Sequence, residues 1–260
     1  MNGRAFSTLG CPGADLEEVV RLADAGGRCT GVELRCAPGQ VVTPETGAED
    51  ARAVAARLAG AGLEAVCLAS YVHVASADPA VPGALRGHLR LARDLGASHL
   101  RVFGGGSGHP RELREQAVRT LAGAAAAAEE AGVGIALETH DSFLGGAAVA
   151  DVLGAVGSPA VGAVWDAVNP WRAGEEPART ADLLGPWLCH VQLKDVASAH
   201  DLAPVPPGRG ALPLGGVLDA LDGLGYRGWT SLEWERAWYP GAAPLEDALA
   251  AFHRVLDARH

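Results

Sequence analysis

The sequence predicts a single (β/α)8 barrel over residues 1–260, and three observations predict it. Strand-like and helix-like segments alternate from one end to the other, eight of each. The length of 260 residues is the usual size for eight such units. No linker rich in Ser, Gly or Pro divides the chain. A doubly wound open sheet is the other arrangement of such units, but no Gly-x-Gly-x-x-Gly follows the first strand.

The elements follow in order. Short apolar runs read as buried parallel strands at residues 5–9, 31–34, 64–68, 99–103, 134–138, 161–165, 188–193 and 229–233. Between them the apolar spacing turns helical. Residues 15–25 place Leu16, Val19, Val20 and Leu22 on one side. Residues 49–61, 84–95, 112–131, 147–156, 178–184, 216–224 and 245–256 read the same way. The alanine run from Ala124 to Ala128 is helix propensity, not low complexity. Glycines such as Gly62 and Gly132 end helices where a left-handed residue is needed.

Composition narrows the function classes. The net charge is −10, which argues against a nucleic-acid partner. The 48% hydrophobic and 20% charged content suits a packed core. No apolar run is long enough for a membrane span, and residues 1–12 show no signal-peptide pattern, so a cytoplasmic location is expected. The five cysteines form no Cys-x-x-Cys pair and read as small buried thiols. Of 21 basic residues only Lys194 is a lysine, a skew toward arginine that marks this position for attention.

Active sites of such barrels form at the C-terminal strand ends. The fifth strand ends in Glu138-Thr139-His140, the sixth in Asp166 with Asn169 following, the seventh carries His190, Gln192, Lys194 and Asp195, and the eighth ends in Glu233-Trp234-Glu235. A carboxylate ending a buried strand is costly unless it is paired or bound to a cation. Four successive strand ends of this kind point to a divalent-metal site rather than to separate ion pairs. The segment Gly104–Gly108 reads either as a phosphate-contacting loop or as a turn, and it lacks the Lys-Ser/Thr of a P-loop.

Leu137-Glu138-Thr139-His140, Asp166-x-x-Asn169, Gln192-Leu193-Lys194-Asp195 and the stretch from Gly225 to Glu233, in this order and spacing, resemble the sugar phosphate isomerase/epimerase family, the xylose isomerase-like TIM barrels. The resemblance covers essentially the whole chain. It implies a metal held by Glu138, Asp166, the strand-seven position and Glu233, with Glu233 preferred over Glu235. Mn²⁺ is the first expectation, with Mg²⁺, Co²⁺ and Zn²⁺ as the others. It also implies that Glu138 and Glu233 act as the acid/base pair of a proton transfer next to a carbonyl. Two departures stand out. Gln192 occupies the family's strand-seven histidine position, with His190 two residues earlier on the same face. Asn169 stands where many members have a histidine, which removes the multi-metal cluster of the DNA-processing members.

The expected function is a metal-dependent isomerase or epimerase of a small sugar, ketose or inosose. A dehydratase sharing the same first step and a metal-less accessory barrel are the alternatives, the latter because of Gln192. Substrate-binding residues are expected at His140, Asn169, His190, Lys194 and Arg209, with His73 of the same type. Arg209 lies in a loop where barrels place anionic groups. Trp165, Trp234 and Trp238 read either as apolar walls for a sugar face or as packing between helices and barrel. Lys194 reads either as a functional cation near the metal or as a structural partner of a carboxylate. The expected partner is a small polyol or sugar, with no nucleic acid and no membrane. A homodimer is open by analogy with other barrels.

Overall fold

Eight parallel strands close on themselves in sequence order in the computed structural model, which describes residues 3–26 and 28–258. The strands are β1 (Gly3–Ser7), β2 (Gly31–Arg35), β3 (Glu64–His73), β4 (His99–Phe103), β5 (Gly134–Glu138), β6 (Val161–Asp166), β7 (Leu188–Leu193) and β8 (Trp229–Leu232). β1 pairs with β8 through Gly3↔Trp229 to Phe6↔Leu232, which seals the barrel. The helices are α1 (Leu16–Gly26), α2 (Ala48–Gly60), α3 (Val81–Leu95), α4 (Pro110–Ala131), α5 (Gly146–Val156), α6 (Val168–Arg172), α7 (Pro177–Leu184), α8 (Leu214–Gly223) and α9 (Leu245–Asp257). No helix among the described residues is long and apolar enough to cross a membrane.

The (β/α)8 barrel is thus as the alternation predicts, and the departures are local. Leu9 lies in a 3-10 turn (Thr8–Gly10) instead of extending β1. β3 runs five residues beyond Leu68, to His73, with a register shift against β4. α6 is an additional one-turn helix, and its Pro170 sits in the first turn, where the missing N–H is not needed. β8 stops at Leu232, so Glu233 stands just past the strand.

The main core lies between the outer strand faces and the helices. It includes Val32, Leu34, Leu68, Leu100, Leu121, Ile135, Leu137, Trp165, Leu193 and Phe252. Inside the barrel the filling is different. A small apolar cluster of Ala5, Val66 and Cys67, covered by Trp229, sits low in the barrel. Above it come polar and charged groups: Glu33, Arg101, His190 and Gln192 are all buried. A barrel interior is usually packed with branched apolar side chains, so this polar layer marks the end at which chemistry is built.

Candidate active site

β5, β6, β7 and β8 deliver their last inward side chains to one place. Backbone stitching fixes their heights. Thr139 N–H donates to Val164 O, and the Thr139 hydroxyl both accepts from Asp166 N–H and donates to Asp166 O. Ala167 N–H donates to Gln192 O, and Glu233 N–H to Leu193 O. Glu138, Asp166, Gln192 and Glu233 are buried together as a result, each at 5% exposure or less.

Lys194 is the cation among these acids. Its ammonium lies 2.9 Å from Asp166 Oδ2 and 2.7 Å from Glu233 Oε2, and it also donates to Glu235. Burial opposes its charge, but the three carboxylates outweigh that and hold its pKa well above the ordinary lysine value. Arg101 of β4 is the second cation, with Nε 3.2 Å from Glu138 Oε2 and its guanidinium 4.0 Å from the centre of the Phe103 ring. Burial drives the Glu138 carboxyl well above the usual range. Arg101 pulls it back, while Glu233 and Asp166 push it further up. Burial also raises Asp166 and Glu235, against the pull of Lys194.

A second network crosses the barrel lumen. Glu33 of β2 receives hydrogen bonds from His190 Nε2 and Gln192 Nε2 of β7, both at 2.9 Å. β2 and β7 are not neighbours in the sheet, so these bonds span the interior. Burial raises the Glu33 carboxyl, but the bonds from His190 and Gln192 and the charge of Arg101 win and lower it. Gln192 Nε2 also donates to Glu233 Oε1 at 3.3 Å. Both amide hydrogens thus point at carboxylates, and the buried amide oxygen Oε1 has no hydrogen-bond partner.

The sequence-derived residues fall into three groups. Glu138, Asp166, Gln192, Lys194 and Glu233 are brought together, with Glu235 at the edge. His140 and Asn169 join them. The His140 ring is 4.5 Å from Phe103, its Nδ1 is 2.7 Å from Asp141 Oδ1, and burial lowers its pKa. Asn169 donates from Nδ2 to Asp166 Oδ2 at 2.6 Å. His190 lies deeper, fully enclosed on Glu33. Arg209 is exposed on the β7–α8 loop and pairs with none of the cluster among the described residues. His73 is exposed at the end of β3, its ring edge-on to Phe103.

Trp165 and Trp234 are fully buried in the outer core and pack the barrel against its helices, whereas Trp238 is 55% exposed at the mouth. The glycines of residues 104–108 serve a tight turn. A Cβ at Gly104 or Gly105 would collide with Phe143 or His73, and Gly105 and Gly106 have left-handed φ of 60° and 82°. Glu33, Arg101 and Arg172 also reach the site, and the strand-end pattern does not mark them. The available signal was a charge inside an apolar run, as in Val32-Glu33-Leu34 and Leu100-Arg101-Val102, which a buried strand tolerates only with a partner.

The donor set suits a hard divalent cation. Glu138, Asp166 and Glu233 offer carboxylate oxygens, and the Gln192 amide oxygen has nothing to accept from. Among the described residues, five carboxylates (Glu33, Glu138, Asp166, Glu233 and the half-buried Glu235) face Arg101 and Lys194 as fixed cations. Among the described residues no three His, Cys, Asp or Glu side chains close on one point as a metal cage. Lys194 spaces Asp166 and Glu233 instead.

Comparison with known proteins agrees with this architecture. No curated protein sequence matches the chain. A structure described as the probable 3-DHS dehydratase AsbF of Bacillus anthracis superposes with TM-score 0.80 at 19% identity, covering 100% of both chains. The IOLI protein with a bound zinc atom superposes with TM-score 0.82 at 18% identity, covering 98% of this chain and 96% of that one. D-psicose 3-epimerase of Clostridium cellulolyticum H10, solved with D-tagatose, gives 0.80 at 16% identity, covering 98% and 97%. At such identities the likeness speaks for the fold. The family profile for xylose isomerase-like TIM barrels matches residues 19–255, nearly the whole chain, and the protein belongs to that family.

Proposed function

We propose that the protein is a divalent-metal-dependent isomerase or epimerase acting on a small polyol or sugar by proton transfer next to a carbonyl. The observation that carries this reading is the excess of carboxylate inside the barrel, four buried groups (Glu33, Glu138, Asp166 and Glu233) and the half-buried Glu235 against the fixed cations Arg101 and Lys194, beside an unsatisfied amide oxygen. Carboxylates buried in such excess stay ionised only where something offsets their charge. Glu138, Asp166, Gln192 and Glu233 would hold the metal, with Mn²⁺ the first expectation. When bound, the metal supplies an electrophile that polarises a substrate carbonyl.

The chain's own residues do the rest. Glu138 ends β5 and Glu233 directly follows β8, so in strand order they flank Asp166 and Gln192. A substrate carbon between them has a proton acceptor on one side and a donor on the other. Lys194 holds the Glu233 carboxylate in place through Oε2, and Gln192 holds it through Oε1. Arg101 faces Glu138 as an ion pair without a hydrogen bond. Phe103 covers Arg101 and His140 packs on Phe103, which limits water on this side of the site.

The test has two steps. Metal content and Mn²⁺ affinity are measured by elemental analysis and calorimetry. Solvent deuterium incorporation is then followed in a panel of ketoses and inososes, with Glu138→Gln and Glu233→Gln as controls. We expect stoichiometric metal and an exchange that either substitution slows by about 100-fold or more. Absence of metal binding under Mn²⁺, Co²⁺ and Zn²⁺ overturns the metal dependence. Metal binding with loss of water from the substrate, seen as a new conjugated-carbonyl absorbance, makes the protein a dehydratase instead.

A further inference from the structure

Both ends of the Asn169 amide are already used. Nδ2 donates to Asp166 Oδ2 at 2.6 Å, and Oδ1 accepts from Arg172 Nε at 3.0 Å. An amide that donates at one end and accepts at the other has a single orientation. Asn169 passes that orientation to Arg172, the last residue of α6. With Nε held, the guanidinium plane is set and the edge formed by its two terminal nitrogens is left over.

Arg172 lines a cavity of about 360 Å³, shared with His140, Lys194, Glu235, Trp238 and Tyr239. The two cations of this wall differ in what they face. Lys194 is committed to Asp166, Glu233 and Glu235. Arg172 forms no ion pair among the described residues; its one bond is to the neutral Asn169. The terminal edge of a guanidinium presents two parallel N–H donors spaced for two oxygens of one carboxylate or phosphate. A neutral hydroxyl matches only half of it.

We infer that Arg172 holds an anionic group of the substrate, a carboxylate or a phosphate, so that the polyol or sugar undergoing proton transfer carries a negative charge. The inference rests on the reading of this cavity as the substrate site. The competing role for Arg172 is a positive charge at the C-terminus of α6 that only steadies the helix end.

The test measures binding by calorimetry, in metal-free protein and again after Mn²⁺ loading. The probes are inorganic phosphate, gluconate and the neutral glucitol. Wild type, Arg172→Gln and Arg172→Lys are compared, and their melting is followed in parallel. We expect at least one anion to bind wild type tenfold or more tightly than Arg172→Gln. Arg172→Lys, which keeps the charge and loses the fork, falls between them. Glucitol affinity and Tm are unchanged by either substitution. Whichever anion binds more tightly identifies the group.

Undiminished anion binding in Arg172→Gln, or no anion binding in either metal state, overturns the inference. Equal losses for gluconate and glucitol overturn it too, as does a lowered Tm with anion affinity intact. Anion binding by the metal-free protein does not depend on proton transfer. A failed exchange experiment therefore leaves this result readable, and a failed binding experiment leaves metal dependence standing.

Discussion

Lys194, the chain's one lysine, has its ammonium enclosed by Asp166, Glu233 and Glu235. A methionine there would leave three carboxylates facing one another. Lys194→Met is expected to cost about 3–5 kcal/mol in urea denaturation. Lys194→Arg keeps the charge but replaces a point by a fork on a bulkier head. It is expected to lose about 1–2 kcal/mol of stability while activity drops tenfold or more. Equal small losses of both would favour a purely structural lysine. The position was legible as a compositional singularity inside the strand-seven motif, but its three partners were not. Contacts between β6, β7 and β8 are long-range, and no local spacing encodes them. Gln192 shows the same limit. Its type suggested an oxygen ligand, yet the fact that both its hydrogens are bound emerges only with Glu33 of β2 in place.

At the scale of elements, the loop from β7 to α8 is held by one side chain. Asp195 Oδ2 accepts from Gly208 N–H and Gly210 N–H, and Oδ1 from Val196 N–H and Leu212 N–H. Asp195→Ala orphans these donors together. It is expected to cost about 2–4 kcal/mol and to open residues 197–213 to limited proteolysis in the native protein. Cleavage at the wild-type rate would show that the loop is latched elsewhere. Strands were legible wherever an apolar run carried them, and residues 99–103, 134–138 and 188–193 coincide with β4, β5 and β7. β3 outran its signal because Ala69–His73 pairs across a register shift and carries polar residues. α6 was hidden by Pro170, which reads as a breaker unless its place in the first turn is known.

At the scale of the whole molecule, the lower end of the barrel contributes a pH limit. Burial, aided by the nearby His190, lowers the His99 pKa to about 4. An unfolded histidine titrates near 6.5. The folded state therefore prefers the neutral ring, and its full contribution is present above pH 6.5. As pH falls from 6.5 toward about 4, the unfolded chain takes up the proton first and stability is lost. Allowing for partial exposure of the ring, the loss is about 2 kcal/mol. Urea midpoints of wild type and His99→Gln, compared between pH 4 and 7, should converge at the acid end by that amount. Parallel curves would remove His99 from the account.

The bonds that cross the lumen have a consequence for how the barrel divides. Glu33 and Arg101 come from the first four strands, while His190, Gln192 and Glu138 come from the last four. Each half on its own lacks partners that the other supplies: Glu33 loses His190 and Gln192, and Glu138 loses Arg101, while Lys194 keeps its three carboxylates. A fragment of residues 1–108 and one of residues 109–260 are thus each other's missing solvent. Separately they should stay unfolded or associate with copies of themselves, and mixed they should recover the native far-UV spectrum at equimolar ratio. The lumen bonds thus add to the closing of the sheet between β1 and β8 as ties between the two halves.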